Sequence, residues 1–304
     1  MPKPVRFLVP FCCLALTLAA QQRSRGHNLN ISTEGNADSC ATLQVHSDGE
    51  IARADETYNL LPGQASAVEL SAMDHAVIQV RGWDQTGYRV EACKIAVAAD
   101  RATAGRILAS VNVSHSAGRF SNTGPSESDG DWQVYYFVHT PPNAGVDLET
   151  KNGPVSVADV HGSIKLRATN GPLAIRNCSG NIDAQSTNGP IAFDGDSGEV
   201  HLHAHNGPIA VKLSRDTWNG AQLDAQTDNG PVSLKMPSTF RSGVRIETDG
   251  NAPLSCKMCD AAAEQRGPSG RRVIEMNGSS DTVRVSTHNG PVSISNANAK
   301  EKIL

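Results

Sequence analysis

The chain has 304 residues, of which 38% are hydrophobic and only 4% aromatic, with 27 Lys and Arg against 31 Asp and Glu. The net charge of −4 argues against binding to nucleic acid, because that partner requires a basic surface. No apolar run of eighteen residues follows the N-terminus, so we expect no transmembrane segment in the mature chain.

The N-terminus has the pattern of a secretory signal peptide. Lys3 and Arg6 form a short basic start, and an apolar run over residues 7–20 ends in small side chains. This order is typical of a cleaved signal, and the run is shorter than the roughly 20 residues that span a bilayer. We therefore predict a signal peptide over residues 1–20 and an exported protein in the periplasm, at the cell surface or secreted.

Two regions follow the predicted signal peptide. Residues 21–55 are polar and show no periodicity, so we expect a loosely ordered leader. Alternating apolar residues predict strands over 76–83 and 88–92, and Ala98–Ser110 has apolar residues at helical spacing. Residues 56–140 are therefore predicted to form an N-terminal β region, or cap, with one short helix.

The tripeptide Asn-Gly-Pro recurs in the C-terminal half of the chain. Its six copies begin at Asn152, Asn170, Asn188, Asn206, Asn229 and Asn289, and the first four lie eighteen residues apart. A short fixed period indicates a solenoid in which each repeat is one supersecondary unit. We predict an all-β fold, a single-stranded β-solenoid of stacked 18-residue repeats over 141–298, followed by a tail over 299–304. A degenerate turn at 250–253 replaces one copy, and residues 260–280 form an excursion before the last one.

Each repeat is expected to contain two strands, because polar and apolar residues alternate on both sides of the turn. The predicted inward residues after the turn are Val155/Val157, Leu173/Ile175, Ile191/Phe193, Ile209/Val211, Val232/Leu234 and Val292/Ile294. Those before the turn are Ile164/Leu166, Ile182/Ala184, Val200/Leu202, Leu223/Ala225 and Val283/Val285. Asn-Gly is expected to supply the positive φ of a sharp corner, and the stacked asparagines to form a hydrogen-bonded amide ladder.

The outward residues before the turn align in three polar columns. They are Asp147, Lys165, Asp183, His201, Asp224; Glu149, Arg167, Gln185, His203, Gln226; and Lys151, Thr169, Thr187, His205, Asp228. His201, His203 and His205 alternate along one strand and so point the same way, about 6.5–7 Å apart. We predict no metal or cofactor, because this spacing is wide for three rings on one ion. The alternative is a divalent ion shared by these histidines, aided by Asp183 or Asp224 from adjacent repeats.

The outward column after the turn contains only alanine and serine. Its members are Ser156, Ala174, Ala192, Ala210, Ser233, Ser255 and Ser293. Small side chains of this kind permit the close approach of another surface. They are equally consistent with steric economy beside the proline corner, and the sequence leaves both interpretations open.

Five cysteines lie outside the predicted signal peptide, and an odd number leaves at least one thiol without an intramolecular partner. Cys256 and Cys259 have the CxxC spacing, which favours a local disulfide when further zinc ligands are missing. Cys40 and Cys93 are the remaining pair in the N-terminal region, whereas Cys178 lies on a distant repeat. We expect Cys178 to be free and the other two pairs to be oxidised, as export permits.

Three segments give the chain a family resemblance. Residues 81–84 (Arg-Gly-Trp-Asp) after a strand, the Asn-Gly repeats, and residues 236–240 (Met-Pro-Ser-Thr-Phe) before 244–248 resemble the bacterial "putative adhesin" β-strand-repeat family. The resemblance covers residues 58–295. It implies an exported or membrane-attached β-solenoid and transfers no functional residue.

The sequence therefore predicts a non-catalytic protein. No nucleophile elbow, P-loop or dinucleotide fingerprint occurs in it. We expect a cell-envelope structural or adhesin-like interaction module without a cofactor, whose partner is an envelope protein or a glycan. The alternative is a glycan-binding or glycan-cleaving solenoid protein. That alternative would place several of Trp83, Trp132, Trp218, Tyr135 and Tyr136 on one exposed groove.

Overall fold

A computed structural model describes most of the chain. The described residues are 20–23, 28–32, 37–72, 75–126, 131–249, 252–256, 258–259, 263–267, 270–278 and 282–297. The predicted signal peptide lies outside them except for Ala20, and the predicted tail over 299–304 lies outside them entirely.

The described chain is nearly all β, with one α-helix. The N-terminal part contains β1 (Ala20–Arg23), β2 (Asn28–Ser32), β3 (Gln44–Ser47), β4 (Glu50–Leu60), β5 (Ala67–Ala72), β6 (Ala76–Gly82), β7 (Tyr88–Ala98), α1 (Arg101–Ser110), β8 (Asn112–Ser116), β9 (Arg119–Thr123) and β10 (Asp131–Thr140), with a 3-10 turn at Cys40–Thr42. The first four Asn-Gly-Pro repeats contain β11 (Gly145–Asn152), β12 (Val155–Ala158), β13 (Ser163–Asn170), β14 (Leu173–Arg176), β15 (Asn181–Asn188), β16 (Ile191–Asp194), β17 (Ser197–Asn206) and β18 (Ile209–Lys212). The remainder contains β19 (Asn219–Asn229), β20 (Val232–Met236), β21 (Val244–Thr248), β22 (Leu254–Cys256), β23 (Ala263–Arg266), β24 (Arg272–Met276), β25 (Val283–Asn289) and β26 (Val292–Asn296).

The strands form two large, mostly parallel sheets. The 12-stranded sheet has the order β23-β24-β21-β25-β19-β17-β15-β13-β11-β5-β9-β8. The 11-stranded sheet has the order β22-β26-β20-β18-β16-β14-β12-β6-β10-β7-β4, and β1, β2 and β3 form a small antiparallel sheet. Each Asn-Gly-Pro repeat thus gives one strand to each large sheet.

The repeats stack in the register that the period predicts. Ile164 pairs with Ile182, and Ile182 pairs with Val200, so equivalent positions of successive repeats are direct neighbours. The same register holds after the turn, where Leu173 pairs with Ile191. The predicted alignment of the repeats is therefore confirmed, including the position of His201 between Asp183 and Asp224.

The inward residues of both sheets form one core. All predicted inward residues are buried, and the large ones, such as Leu166 and Phe193, are at most 2% exposed. The sequence analysis missed a third inward position next to the turn. It holds the small residues Thr150, Ala168, Ser186, Ala204, Thr227 and Thr287. Small side chains fit there because the two sheets approach each other at the corner.

The corner glycines are needed for close packing more than for a positive φ. Only Gly153, among the six glycines of the Asn-Gly-Pro turns, has φ in the left-handed range, at +146°. The expectation of a positive φ is wrong for the other five. A Cβ on Gly171 would lie 2.1 Å from the carbonyl oxygen of Gly153, and one on Gly189 would lie 2.2 Å from that of Gly171. A side chain would therefore force neighbouring repeats apart.

The corner asparagines form the predicted amide ladder. Asn170 Nδ2 donates to Asn152 Oδ1 at 2.9 Å. The same bond, at 3.0 Å, joins Asn188 to Asn170, Asn206 to Asn188, Asn229 to Asn206, and Asn289 to Asn229. The ladder continues across the 23-residue and 60-residue separations, so the extra residues are accommodated away from this corner.

The last strand pair is inserted out of sequence order. β25 lies between β19 and β21, and β26 lies between β20 and β22. The sequence suggested stacking in chain order, with the degenerate turn at 250–253 as the next repeat. The final Asn-Gly-Pro copy instead occupies that place, where Asn289 extends the amide ladder from Asn229.

The N-terminal region is more ordered than predicted. Residues 37–55, placed in a loosely ordered leader, include β3 and the start of β4, which pairs with β7 over eleven positions. The outer face of β7 and β10 is apolar there, and Leu43 packs on Tyr135 and Phe137 in a second core. Parallel stacking also begins before residue 141, because β5 pairs with β11 and β6 with β12.

The helix α1 begins later than predicted. Asp100 caps it by accepting a hydrogen bond from the Thr103 amide at 2.9 Å, while Ala98 belongs to β7. Ala104 and Ile107 are buried in the main core. The part of the chain that the structure describes contains no α-helix with the length and hydrophobicity of a membrane span.

The cysteine predictions are confirmed. Disulfides join Cys40 to Cys93 and Cys256 to Cys259. Cys178 is a buried free thiol, and burial raises its pKa to about 11. The Cys40–Cys93 bond attaches the N-terminal segment to the outer face of β7.

Phe193→Ala is expected to lower the free energy of unfolding by about 3–5 kcal/mol, because it removes a buried ring and leaves a cavity. Ala192→Ser is the control on the same strand, where a partly exposed outward residue should tolerate the change within about 0.5 kcal/mol. Urea denaturation measures both. A Phe193→Ala midpoint equal to that of the wild type would contradict the inward assignment.

Gly189→Ala is expected to destabilise the protein by about 1–3 kcal/mol, as overpacking does, because its Cβ meets a backbone oxygen that cannot move alone. Gly105→Ala is the matched control. No heavy atom lies within 4 Å of its added Cβ, and alanine in a helix should stabilise by roughly 0.5–1 kcal/mol. Thermal unfolding of both variants should move the Tm in opposite directions, and equal shifts would exclude the steric explanation.

Candidate functional site

The outward surface of the 12-stranded sheet is a continuous array of polar side chains, here called the polar face. It consists of the three predicted columns together with their continuation on β25 and β21. Register places Arg284 and Arg245 after Asp224, and Ser286 and Glu247 after Gln226. The same register places His288 and then Asp249 after Asp228. The sequence analysis ended these columns at β19 because it did not foresee where β25 and β21 pair.

Charged side chains on the polar face pair with one another. Arg167 donates to Asp147 at 2.6 Å, a diagonal contact between neighbouring repeats. The sequence analysis had matched Asp147 with Lys165, its direct cross-strand neighbour. Gln185 donates to Asp183 along the same strand at 3.1 Å. These groups are partly exposed, so each pair contributes at most about 1 kcal/mol.

Three histidines surround the carboxylate of Asp228. His205 Nδ1 lies 2.7 Å from Asp228 Oδ2, and His203 Nε2 lies 3.6 Å from Oδ1. His288 Nδ1 approaches the same Oδ1 at 3.5 Å, and its Nε2 lies 3.6 Å from Asp249. The hydrogen bond from His205 lowers the pKa of the Asp228 carboxyl below its ordinary value. The column therefore alternates between imidazole and carboxylate.

The predicted histidine triplet does not stay together as a group. His203 and His205 turn towards Asp228, whereas His201 Nε2 faces Glu199 at 3.6 Å. Asp183 and Asp224 flank His201 in register, but the carboxylate gathering the rings is Asp228. His288 was missed, although its place before the last Asn-Gly-Pro matches that of His205 and Asp228 in their own repeats.

The described residues contain one preformed convergence of three metal-ligating side chains. It consists of Cys40, Asp55 and Cys93, whose ligand atoms lie within 4.8 Å of one another. Both cysteines are joined in a disulfide, and Asp55 accepts a hydrogen bond from Arg53. This group is therefore a disulfide beside an ion pair.

A carboxylate surrounded by arginines marks the C-terminal end of the polar face. Glu247 is 6% exposed and contacts Arg245, Arg271 and Arg284. Burial alone would raise the pKa of Glu247, but the hydrogen bonds from these arginines outweigh it and lower the pKa to about 2. Arg245 also pairs with Glu275 on β24 at 2.6 Å, so the cluster ties the last antiparallel strand to the parallel sheet.

A shallow hollow of about 400 Å³ lies at the other end of the polar face. It is lined by residues of β5, β8, β9, β11 and β13, among them Glu69, Ser114, Arg119 and Glu149. Arg119 pairs with Glu69 at 2.7 Å across it. Its walls thus share the internally paired chemistry of the rest of the face.

The aromatic residues do not form an exposed platform. Trp132 and Trp218 are buried, and Tyr135 and Tyr136 are fully buried. Trp83 is partly exposed, but its indole donates to the Gly87 carbonyl at 3.0 Å and its ring lies against His139. The arrangement expected of a glycan-binding groove is therefore not met by these five residues.

Two solved structures resemble this fold. A crystal structure described as a putative cell adhesion protein from Clostridium sporogenes has a TM-score of 0.32 and 8% identity, covering 81% of this chain and 100% of its own. A putative adhesin from Bacteroides fragilis has a TM-score of 0.36 and 12% identity, covering 80% of this chain and 97% of its own. No family model and no curated protein matches the chain. Both descriptions agree with the family resemblance found in the sequence, and we base the function on the residues of this chain alone.

Glu247→Gln is expected to destabilise the fold at pH 7, by about 1–3 kcal/mol, since one pKa unit corresponds to about 1.4 kcal/mol. The folded pKa lies below the ordinary 4.5, so ionised Glu247 stabilises the fold above about pH 4.5 and this contribution is lost as the pH falls towards 2. Urea unfolding from pH 7 to pH 2 should show the two proteins converging. Glu69→Gln, which breaks an exposed pair, is the control and should change stability little at either pH. A constant gap between Glu247→Gln and the wild type would exclude the pKa mechanism.

Proposed function

We propose that the chain is an exported, non-catalytic β-solenoid that serves as a cell-envelope structural or adhesin-like interaction module. The repeats between residues 141 and 298 would form successive coils of the solenoid, with one strand in each sheet. The polar face would be its contact surface, and an envelope protein or a glycan its partner.

One observation carries the proposal: the polar residues of the array pair along the sheet, in register from one repeat to the next. Asp147 with Arg167, and Asp228 with His205, are examples from opposite halves of the face. A catalytic centre instead gathers groups with perturbed pKa values in a cleft. A repeated flat array is suited to extended contact with a partner surface.

Export is supported by the covalent structure. The disulfides Cys40–Cys93 and Cys256–Cys259 are of the kind that persists in oxidising compartments and is rare in the cytosol. They agree with the signal-peptide pattern over residues 1–20. The Cys40–Cys93 bond also holds down the first ordered segment after that pattern.

Localisation is tested with cells that produce the natural protein. Protease treatment of intact cells, compared with lysed cells, separates surface exposure from a periplasmic location, and N-terminal sequencing of the recovered protein reports cleavage. We expect a mature chain lacking residues 1–20 with two disulfides by peptide mapping. An uncleaved chain with reduced cysteines in the cytoplasmic fraction would overturn the proposal of export.

Interaction is tested with two variants that block one face each. Thr187→Arg places a bulky charge on the polar face, and Ala192→Arg places the same group on the alanine and serine column of the other sheet. Both positions point outwards, so both variants should fold as the wild type does by circular dichroism. We expect Thr187→Arg to reduce cell adhesion or envelope association at least several-fold and Ala192→Arg to leave it unchanged. The reverse pattern would move the contact surface to the other sheet, and loss of function in neither would contradict an interaction role for both faces.

A further inference from the structure

His205, Asp228 and His288 occupy equivalent positions on three adjacent parallel strands, β17, β19 and β25. Asn206, Asn229 and Asn289, which follow them directly, are bonded in the amide ladder. The three side chains therefore leave the same face in one row. The two histidines lie about 9.6 Å apart by strand spacing, with the carboxylate midway between them.

The imidazole nitrogens converge on this carboxylate at distances typical of ligands around one metal ion. Bonds to zinc are about 2.0–2.1 Å for nitrogen and 2.0–2.2 Å for oxygen, so tetrahedral ligand atoms lie about 3.3–3.5 Å apart. His288 Nδ1 and His203 Nε2 lie 3.5 and 3.6 Å from Asp228 Oδ1, and His205 Nδ1 lies 2.7 Å from Oδ2. Each nitrogen–oxygen pair is thus near the required separation, or needs to open by less than about 1 Å.

We propose that His205, His288 and Asp228, with His203 as the fourth ligand, bind one soft divalent ion, Zn²⁺ or Cu²⁺. Imidazole and carboxylate are ligands that both ions accept. His201, which belonged to the triplet seen in the sequence, is not a ligand, because it faces Glu199.

The second nitrogen of His288 supports this assignment. With Nδ1 directed at Asp228, Nε2 lies 3.6 Å from Asp249 Oδ2. A ligating histidine commonly donates its other N–H to a carboxylate, which fixes the ring and raises its basicity. Asp249 is placed to accept that hydrogen bond.

Binding requires a limited rearrangement of exposed side chains. In the structure the carboxylate lies between the rings, so the nitrogens surround Asp228 and do not yet face a common point. The three imidazoles are 48%, 55% and 51% exposed, and can turn without disturbing the core. The ion takes the place of protons between ring and carboxylate, so binding should release protons.

The test is isothermal titration of metal-stripped mature protein, purified without a histidine tag, with ZnCl₂ and CuCl₂ at pH 7.5. Titrations in two buffers with different ionisation enthalpies report proton release. We expect one ion per chain with a Kd below about 10 µM. Binding should weaken at least 10-fold in His288→Ala and in His205→Ala, and about 10-fold in Asp249→Asn. His201→Ala, on the same strand, is the matched control and should bind as the wild type does.

Circular dichroism of the metal-free variants separates loss of ligands from loss of fold, and the two histidine variants test the site independently. Failure of the wild type to bind either ion would overturn the proposal. Binding that survives in both His288→Ala and His205→Ala, or that is lost in His201→Ala, would also overturn it. None of these outcomes bears on export or adhesion, which the proposed function requires.

Discussion

Contact between successive Asn-Gly corners is the constraint on which the rest of the structure depends. Each carboxamide donates to the one before it at 2.9–3.0 Å. The glycine beside it lies so close to the preceding glycine carbonyl that a Cβ would overlap it. A shift of one residue would break every bond of the ladder and turn the inward residues outward. The corner therefore fixes the composition of the core and that of both faces together.

A parallel stack leaves an exposed core and unpaired strand edges at its two ends, and the two ends of this chain are covered differently. At the N-terminal end α1 packs on β4 and β7 and buries Ala104 and Ile107. The last strands of the two sheets meet there, with the rings of Tyr58 and His115 only 4.3 Å apart. At the C-terminal end β24 runs antiparallel, and arginines around Glu247 join it to the stack. Hydrophobic cover at one end and ion pairing at the other predict that acid weakens the C-terminal end first.

The insertion of the last strand pair determines the electrostatics of the polar face. Stacking in chain order would place Asp249 directly beside Asp228, and two carboxylates on neighbouring strands repel each other. With β25 between them, His288 separates the two acids and can pair with both. The same insertion gives the ladder its last asparagine, Asn289, next to Asn229. One topological feature thus produces both the alternating row and the histidine pair on which the metal proposal depends.

The sequence by itself determined everything that follows from a strict local period. Eighteen-residue spacing with period-two alternation identified the inward pairs such as Leu173 and Ile175, the amide ladder and the free Cys178, because these depend only on equivalent positions lying side by side. Tertiary structure alone decided which strands are neighbours where the period fails, and hence that His203 and His205 meet His288 across Asp228. It also decided that residues 37–55 are ordered, because the apolar outer face of β7 and β10 needs cover that no local pattern in the segment reveals. Sequence period specifies register along the chain, whereas long-range pairing depends on hydrogen bonds and burial between segments far apart in sequence.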